Sequence, residues 1–140
     1  MHEWSLANGI VRTVLQEKEK NGASAIKIVE ISVGEISQID IETLRYALEN
    51  IARGTPLENS EIRIDMERTE LKCRTCGHIW NFEESKKYLE PVGEEGDNAL
   101  HYLPESVSIF VKCPVCHGQD IEILGGSGVR VKKIIMEVED

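Results

Sequence analysis

The chain has 140 residues, 41% hydrophobic and 29% charged, which is the balance of a folded globular protein and not of a disordered one. Its length suits one ordinary domain, or a small core domain carrying a metal-held module. The formal net charge of −9 argues against nucleic acid as a partner, because phosphate binding needs a basic surface. Taken from the start, residues 3–20 are expected to form an amphipathic helix. Trp4, Ala7, Val11 and Val14 recur at three- and four-residue steps, and Ile10 and Leu15 widen the stripe. Lys18 and Lys20 suit the negative end of the helix dipole, and Asn21-Gly22 ends it. Residues 25–33 are rich in β-branched side chains and place apolar groups on both faces, as a buried strand does. A second helix is expected over about 40–52, with Asp40 as N-cap, Ile41, Leu44, Leu48 and Ile51 as its stripe, and Gly54 and Pro56 as its stop. Glu49 and Arg53 are spaced for a surface ion pair. Residues 61–68 alternate through Ile62, Ile64 and Met66, the pattern of a strand with one buried face, and Val129–Val138 reads as a final strand.

The cysteine-bearing segment lies between those last two strands. The order therefore predicts an α+β fold: a small three-stranded sheet with two helices, formed by residues 1–69 and 125–140, and an inserted zinc-ribbon-like module over 70–124. Within the insert, residues 90–104 hold Pro91, Gly93, Gly96, Pro104 and the acids Glu94, Glu95 and Asp97, the composition of an exposed loop. The long connection to an inserted module favours a homodimer formed by domain swapping.

No stretch approaches the roughly 18 apolar residues of a membrane span, and the start lacks the features of a signal peptide. A cytoplasmic location is expected, and in that reducing compartment a CxxC pair points to metal more than to a disulfide framework. All four cysteines fall in two such pairs, Cys73-Arg74-Thr75-Cys76 and Cys113-Pro114-Val115-Cys116. Zinc wants four soft donors at tetrahedral corners about 2.3 Å away, and two residues between cysteines let one turn present both sulfurs. Gly77 and Gly118 would supply the backbone freedom of these turns. The spacer Gly77–Lys112 is 36 residues long, beyond the roughly 15–20 usual for this pattern. Ile79, Trp80, Phe82, Ile109 and Val111 can build a short sheet around the cysteines. A shell of four sulfurs has no open position, so the site is read as structural and not catalytic. Thioredoxin-like chemistry would want one CxxC at a helix start. An iron site uses the same four thiolates, and the sequence does not separate it from zinc. His78 and His117 read as surface histidines beside the turns; the sharper alternative makes them hydrogen-bond partners or substitute donors.

The start, Met1-His2-Glu3, offers a second metal site. The Met1 amine, the His2 amide nitrogen and the His2 imidazole can chelate one ion in fused rings, which suits Ni(II) or Cu(II). Glu3 or an outside imidazole can take the fourth position. Weighed on residues alone, His2 is better read as part of a frayed terminus.

The whole pattern resembles the HypA/HybF family of hydrogenase-maturation nickel metallochaperones. The likeness rests on Met1-His2-Glu3-Trp4 opening an amphipathic helix, on Val33-Gly34-Glu35 in the strand, and on paired CxxC knuckles late in the chain. It implies a non-enzymatic carrier that transports Ni(II), holds Zn(II) structurally, exchanges nickel with the GTPase HypB and delivers it to the large-subunit precursor of [NiFe]-hydrogenase. It also implies His2 as nickel ligand, assisted by the Met1 amine and by Glu3 or its backbone, with zinc on Cys73, Cys76, Cys113 and Cys116. Many members have a shorter spacer between knuckles, and the longer form looks archaeal. The spacer carries His101, expected to swing toward the Met1–His2 chelate as a fourth nickel donor. A rival reading, a zinc-ribbon adaptor in transcription or RNA metabolism, is opposed by the acidic balance and by only 5% aromatic residues.

Overall fold

The structure, a computed structural model, describes residues 2–86 and 111–139. The elements run α1 (His2–Lys20), β1 (Ala25–Gly34), a single 3-10 turn (Glu35–Ser37), α2 (Ile41–Ala52), β2 (Glu61–Glu67), β3 (Glu70–Cys73), β4 (Ile79–Asn81), α3 (Phe82–Lys86), β5 (Ile121–Leu124) and β6 (Val129–Glu137). They form two compact units. The first comprises Met1–Ser32, Ile39–Asp65 and Val129–Asp140; the second comprises Val33–Gln38 and Met66–Gly128. The segment 33–38, which the sequence reading leaves with the first unit, thus belongs to the unit that bears the cysteines. No helix among the described residues is long and apolar enough to cross a membrane.

In the first unit β1 is the central strand of a three-stranded sheet ordered β2-β1-β6. The strand that returns after the insert therefore completes the sheet, as expected. Burial on the helices follows their periodicity. Ala7, Ile10, Val11 and Val14 of α1 are buried, as are Leu44, Ala47 and Leu48 of α2, against which α1 packs, and Val29 and Ile31 of β1. Each fully buried aliphatic side chain of this size is worth about 1.5–3 kcal/mol. Trp4 departs from the expected stripe: its ring is 43% exposed and meets Tyr46 edge-on, centroids 6.0 Å apart. Met66 is also exposed, at the end of β2 where Ile62 and Ile64 are half-buried.

The helix ends follow local chemistry. After α1, Ala23 N–H reaches the Lys18 carbonyl and Gly22 N–H the Glu19 carbonyl, with Gly22 at φ +63°, a Schellman closure. Asp40 caps α2, its Oδ1 accepting the Thr43 amide at 3.2 Å. At the other end Arg53 leaves the helix with extended backbone, and among the described residues no ion pair joins it to Glu49.

The second unit is built on an antiparallel sheet ordered β4-β3-β5. Its register sets Leu71 opposite Trp80 on one side and Ile123 on the other. Leu71, Trp80, Phe82, Val111 and Ile121 form the core with Cys73, Cys113 and Ile36. Of the flanking residues expected to support the cysteines, Trp80, Phe82 and Val111 do so, Ile79 is exposed, and Ile109 lies outside the described residues. Ile36 arrives from the 3-10 turn, which a hydrogen-bonded knot holds in place. Buried Glu35 accepts Arg68 Nη1 at 3.1 Å and the Thr69 amide at 3.0 Å. Thr69 Oγ1 donates to the Gly126 carbonyl at 2.9 Å and accepts the Ile36 amide at 3.2 Å. A Cβ on Gly34 would strike the Gly126 carbonyl, which explains the glycine of Val33-Gly34-Glu35.

Candidate metal centre

Each knuckle is a turn that folds back on its first cysteine. Cys73 ends β3; its carbonyl accepts the Gly77 amide at 2.8 Å, and its own amide donates to the His78 carbonyl at 2.9 Å. The second knuckle repeats the pattern, with His117 N–H on the Cys113 carbonyl and Cys113 N–H on the Gly118 carbonyl, both at 2.9 Å. The residue after the second cysteine must be left-handed: Gly77 has φ +83° and His117 has φ +63°. In the second knuckle this conformation thus falls on His117, not on Gly118, at a cost that L-residues bear and glycine does not. Gly118 is needed for space. A Cβ there would sit 3.2 Å from Cys116 Sγ and 3.6 Å from Cys73 Sγ.

The turns bring the four sulfurs within 4.8 Å of one another. Cys73 and Cys116 are 3.5 Å apart, Cys76 and Cys113 3.6 Å. Tetrahedral coordination at about 2.3 Å requires sulfur–sulfur edges of about 3.8 Å, so the arrangement fits one four-coordinate zinc ion. Backbone amides prepare the sulfurs for it. Val115 and Cys116 N–H donate to Cys113 Sγ at 3.4 and 3.5 Å, and Gly118 N–H to Cys116 Sγ at 3.4 Å. Without metal the four thiols divide. The Cys76 amide above all, against the cost of burial, brings Cys73 down to about 6. The Gly118 amide favours a Cys116 thiolate, but hydrogen bonding with Cys73 and burial outweigh it and push Cys116 up to about 12. Cys113 is lowered despite burial, by the Cys116 and Val115 amides. Cys76 is raised: the His78 amide is outweighed by burial and by its bond with Cys113. A divalent cation resolves this crowding by favouring the thiolate at all four positions.

At the other candidate site His2 is the first residue of α1, while Met1 and His101 lie outside the described residues. Glu3 is 3% exposed, and its Oε2 accepts the Asp40 amide at 3.2 Å. Burial works against its ionised form, yet hydrogen bonds that include its own amide and that of Asp40 prevail and hold its carboxyl below the usual value. The Glu3 carboxylate thereby ties the first turn of α1 to the N-cap of α2. That link was not legible in the sequence, where Glu3 and Asp40 are separate signals. His78 and His117 serve the knuckles through their backbones, and the His78 ring stacks on Trp80 with centroids 5.6 Å apart.

Comparison with known proteins spans both stretches of the chain. Residues 1–136 match the family model described as "Hydrogenase/urease nickel incorporation, metallochaperone, hypA". The chain is similar to the hydrogenase maturation factor HypA of Pyrococcus furiosus, 40% identical over 139 residues, covering 99% of this chain and 98% of that one. It is likewise similar to the factor of the same name from Methanopyrus kandleri, 32% identical over 139 residues, covering 99% and 94%. Matches of this extent leave no room for a much shorter spacer in these relatives. The solution structure of the Ni metallochaperone HypA from Helicobacter pylori shares the fold, with a TM-score of 0.60 and 22% identity over 99% of this chain and all of that one.

Proposed function

The chain belongs to the HypA family, and from that premise we propose that it captures Ni(II) at its N-terminus, through the Met1 amine, the amide nitrogen and imidazole of His2, and Glu3 or its backbone. It is a nickel metallochaperone of hydrogenase maturation, and its four cysteines hold Zn(II) structurally. The observation that carries this reading is the family match over residues 1–136, which takes in the N-terminal segment and the cysteine module alike. A zinc-ribbon adaptor would account for the module alone. The tie from Glu3 to Asp40 supports the reading further, because it fixes the start of α1 on which His2 sits.

The carrier acts without catalysis, in the cytoplasm. It exchanges nickel with the GTPase HypB and passes it to the large-subunit precursor of [NiFe]-hydrogenase. A terminal chelate suits that task, since exposed ligands can be replaced one at a time, whereas a closed four-thiolate shell releases its ion slowly. His101 supplies the fourth nickel donor, and exchange of the inserted module between two copies gives a homodimer. Competitive Ni(II) titration of the wild type against His2→Ala tests the central claim. Loss of the high-affinity site is expected; equal binding by the two would overturn the nickel reading and leave the zinc reading standing. In the same titration His101→Ala should change affinity and ligand-field spectrum, and identity in both would remove His101 from the site.

A further inference from the structure

The four sulfurs of the metal centre are not equivalent. Cys73 and Cys113 are fully buried, whereas Cys76 and Cys116 are exposed. In the second knuckle the backbone donors are divided in the same sense. Cys113 Sγ accepts two amides, from Val115 and Cys116, at 3.4 and 3.5 Å. Cys116 Sγ accepts the single amide of Gly118, at 3.4 Å. Each N–H on a thiolate withdraws charge and lowers its nucleophilicity, so exposed Cys116 is also more reactive than its buried partner Cys113.

The two exposed sulfurs differ in turn. Two residues past Cys76 stands His78, whose ring packs on Trp80. Two residues past Cys116 stands Gly118, and the missing Cβ is the one that would sit 3.2 Å from Cys116 Sγ and 3.6 Å from Cys73 Sγ. The glycine adds no side chain of its own to the Cys116–Cys73 edge of the sulfur tetrahedron, where the Thr75 hydroxyl lies 3.6 Å from the same Cβ position.

We propose that Cys116 is the oxidant-sensitive sulfur of the zinc centre and Cys73 its resolving partner, so that a peroxide joins the two knuckles by a disulfide and releases the zinc. The Cys116 thiolate attacks one oxygen of hydrogen peroxide; the S–O bond forms, the O–O bond breaks and hydroxide leaves. Cys73, 3.5 Å away, then attacks the Cys116 sulfur; the S–S bond forms, the S–O bond breaks and a second hydroxide leaves. Two protons from solvent turn the hydroxides into water. Two electrons pass from the sulfurs to the peroxide, and zinc, still divalent, loses two of its four donors. The metal-held unit then becomes a cross-linked one, and a thiol reductant with zinc restores it.

This inference rests on the zinc reading, so zinc per chain is measured first; absence of zinc would defeat that reading, independently of which sulfur reacts. The full zinc-loaded chain is then treated with less than one equivalent of N-ethylmaleimide, or of hydrogen peroxide with a chromophoric zinc chelator, and mapped by non-reducing peptide mass spectrometry. Cys116 should be labelled severalfold ahead of Cys73 and Cys113, and each zinc released should be matched by one Cys73–Cys116 disulfide. Gly118→Ala should slow labelling of Cys116 relative to Cys76. Even labelling of all four, a bridge between any other pair, or zinc retained through oxidation would overturn the proposal.

Discussion

The knot around Thr69 allows a quantitative test of how the cysteine-bearing unit is held together. Thr69→Val keeps the shape of the side chain and removes its hydroxyl. Two contacts go: the donation to the Gly126 carbonyl at 2.9 Å and the acceptance of the Ile36 amide at 3.2 Å. Neither backbone group is orphaned, because the Ile36 amide also donates directly to the Gly126 carbonyl at 3.1 Å. The penalty of about 1–3 kcal/mol for a stranded buried group therefore does not apply, and the loss should be that of an ordinary hydrogen bond, about 1 kcal/mol. For a chain of this size that is a fall in Tm of about 3–5 °C. Thr69→Ala adds a methyl-sized void and should cost about 1 kcal/mol more. The measurement is urea unfolding at saturating zinc, since metal bound to the native unit otherwise shifts the midpoint. The chain has two tryptophans, and Trp4→Phe leaves buried Trp80 as the sole reporter of this unit. A loss beyond about 2 kcal/mol would refute the shared-donor account, because an orphaned buried group adds about 1–3 kcal/mol to the lost bond. No loss would show that the hydroxyl is not bonded as described.

Gly9 lies in the middle of α1, exposed, with nothing within 4 Å of where its Cβ would be. Gly9→Ala should stabilise the first unit by about 0.5–1 kcal/mol, read as a raised urea midpoint with unchanged slope. Zinc binding should release protons in proportion to the thiols that are still protonated. Cys76 and Cys116 both titrate above the ordinary thiol range, whereas Cys73 ionises near 6. Between pH 7 and 8, at least two protons should therefore leave for each zinc bound, and affinity should rise about a hundredfold per pH unit. Calorimetry in buffers of different ionisation enthalpy counts them; a single proton or none would contradict the division of charge among the sulfurs.

Much of this architecture was legible because the signals were local. The helices and long strands announced themselves by periodicity, Asp40 by its place before an apolar stripe, and the metal ligands by spacing alone. What escaped depended on partners distant in sequence. The role of Ile36 could not be read, since an isolated isoleucine between Glu35 and Ser37 shows nothing of the core formed by Leu71, Phe82 and Val111. Trp4 obeyed the helical step yet lies at the end of the stripe, where the Tyr46 ring meets it edge-on. Gly118 was noticed for the wrong property: its neighbour His117 takes the left-handed conformation, and the glycine is required by the closeness of two sulfurs. Glu3 was read as a metal donor from its position beside His2, while its bond to the Asp40 amide comes from the folded arrangement of two helices.

The same division between local and distant signals explains why the second unit needs its ion. Its core joins pieces that are far apart in the chain: Ile36, the β3–β4 region, Val111 with Cys113, and Ile121. Two of those core positions are cysteines, and β3, β4 and β5 are only three or four residues long. Strands so short give little stability by pairing alone. Closing the long loop between Cys76 and Cys113 carries an entropic cost that so small a core offsets poorly. Zinc bonded to both knuckles offsets it directly, since in such sites metal-binding free energy is folding free energy. The exposed Cys76 and Cys116 follow from the same geometry. The buried sulfurs belong to the core, and their two partners, one turn further along, are left to face the water from which the metal arrives.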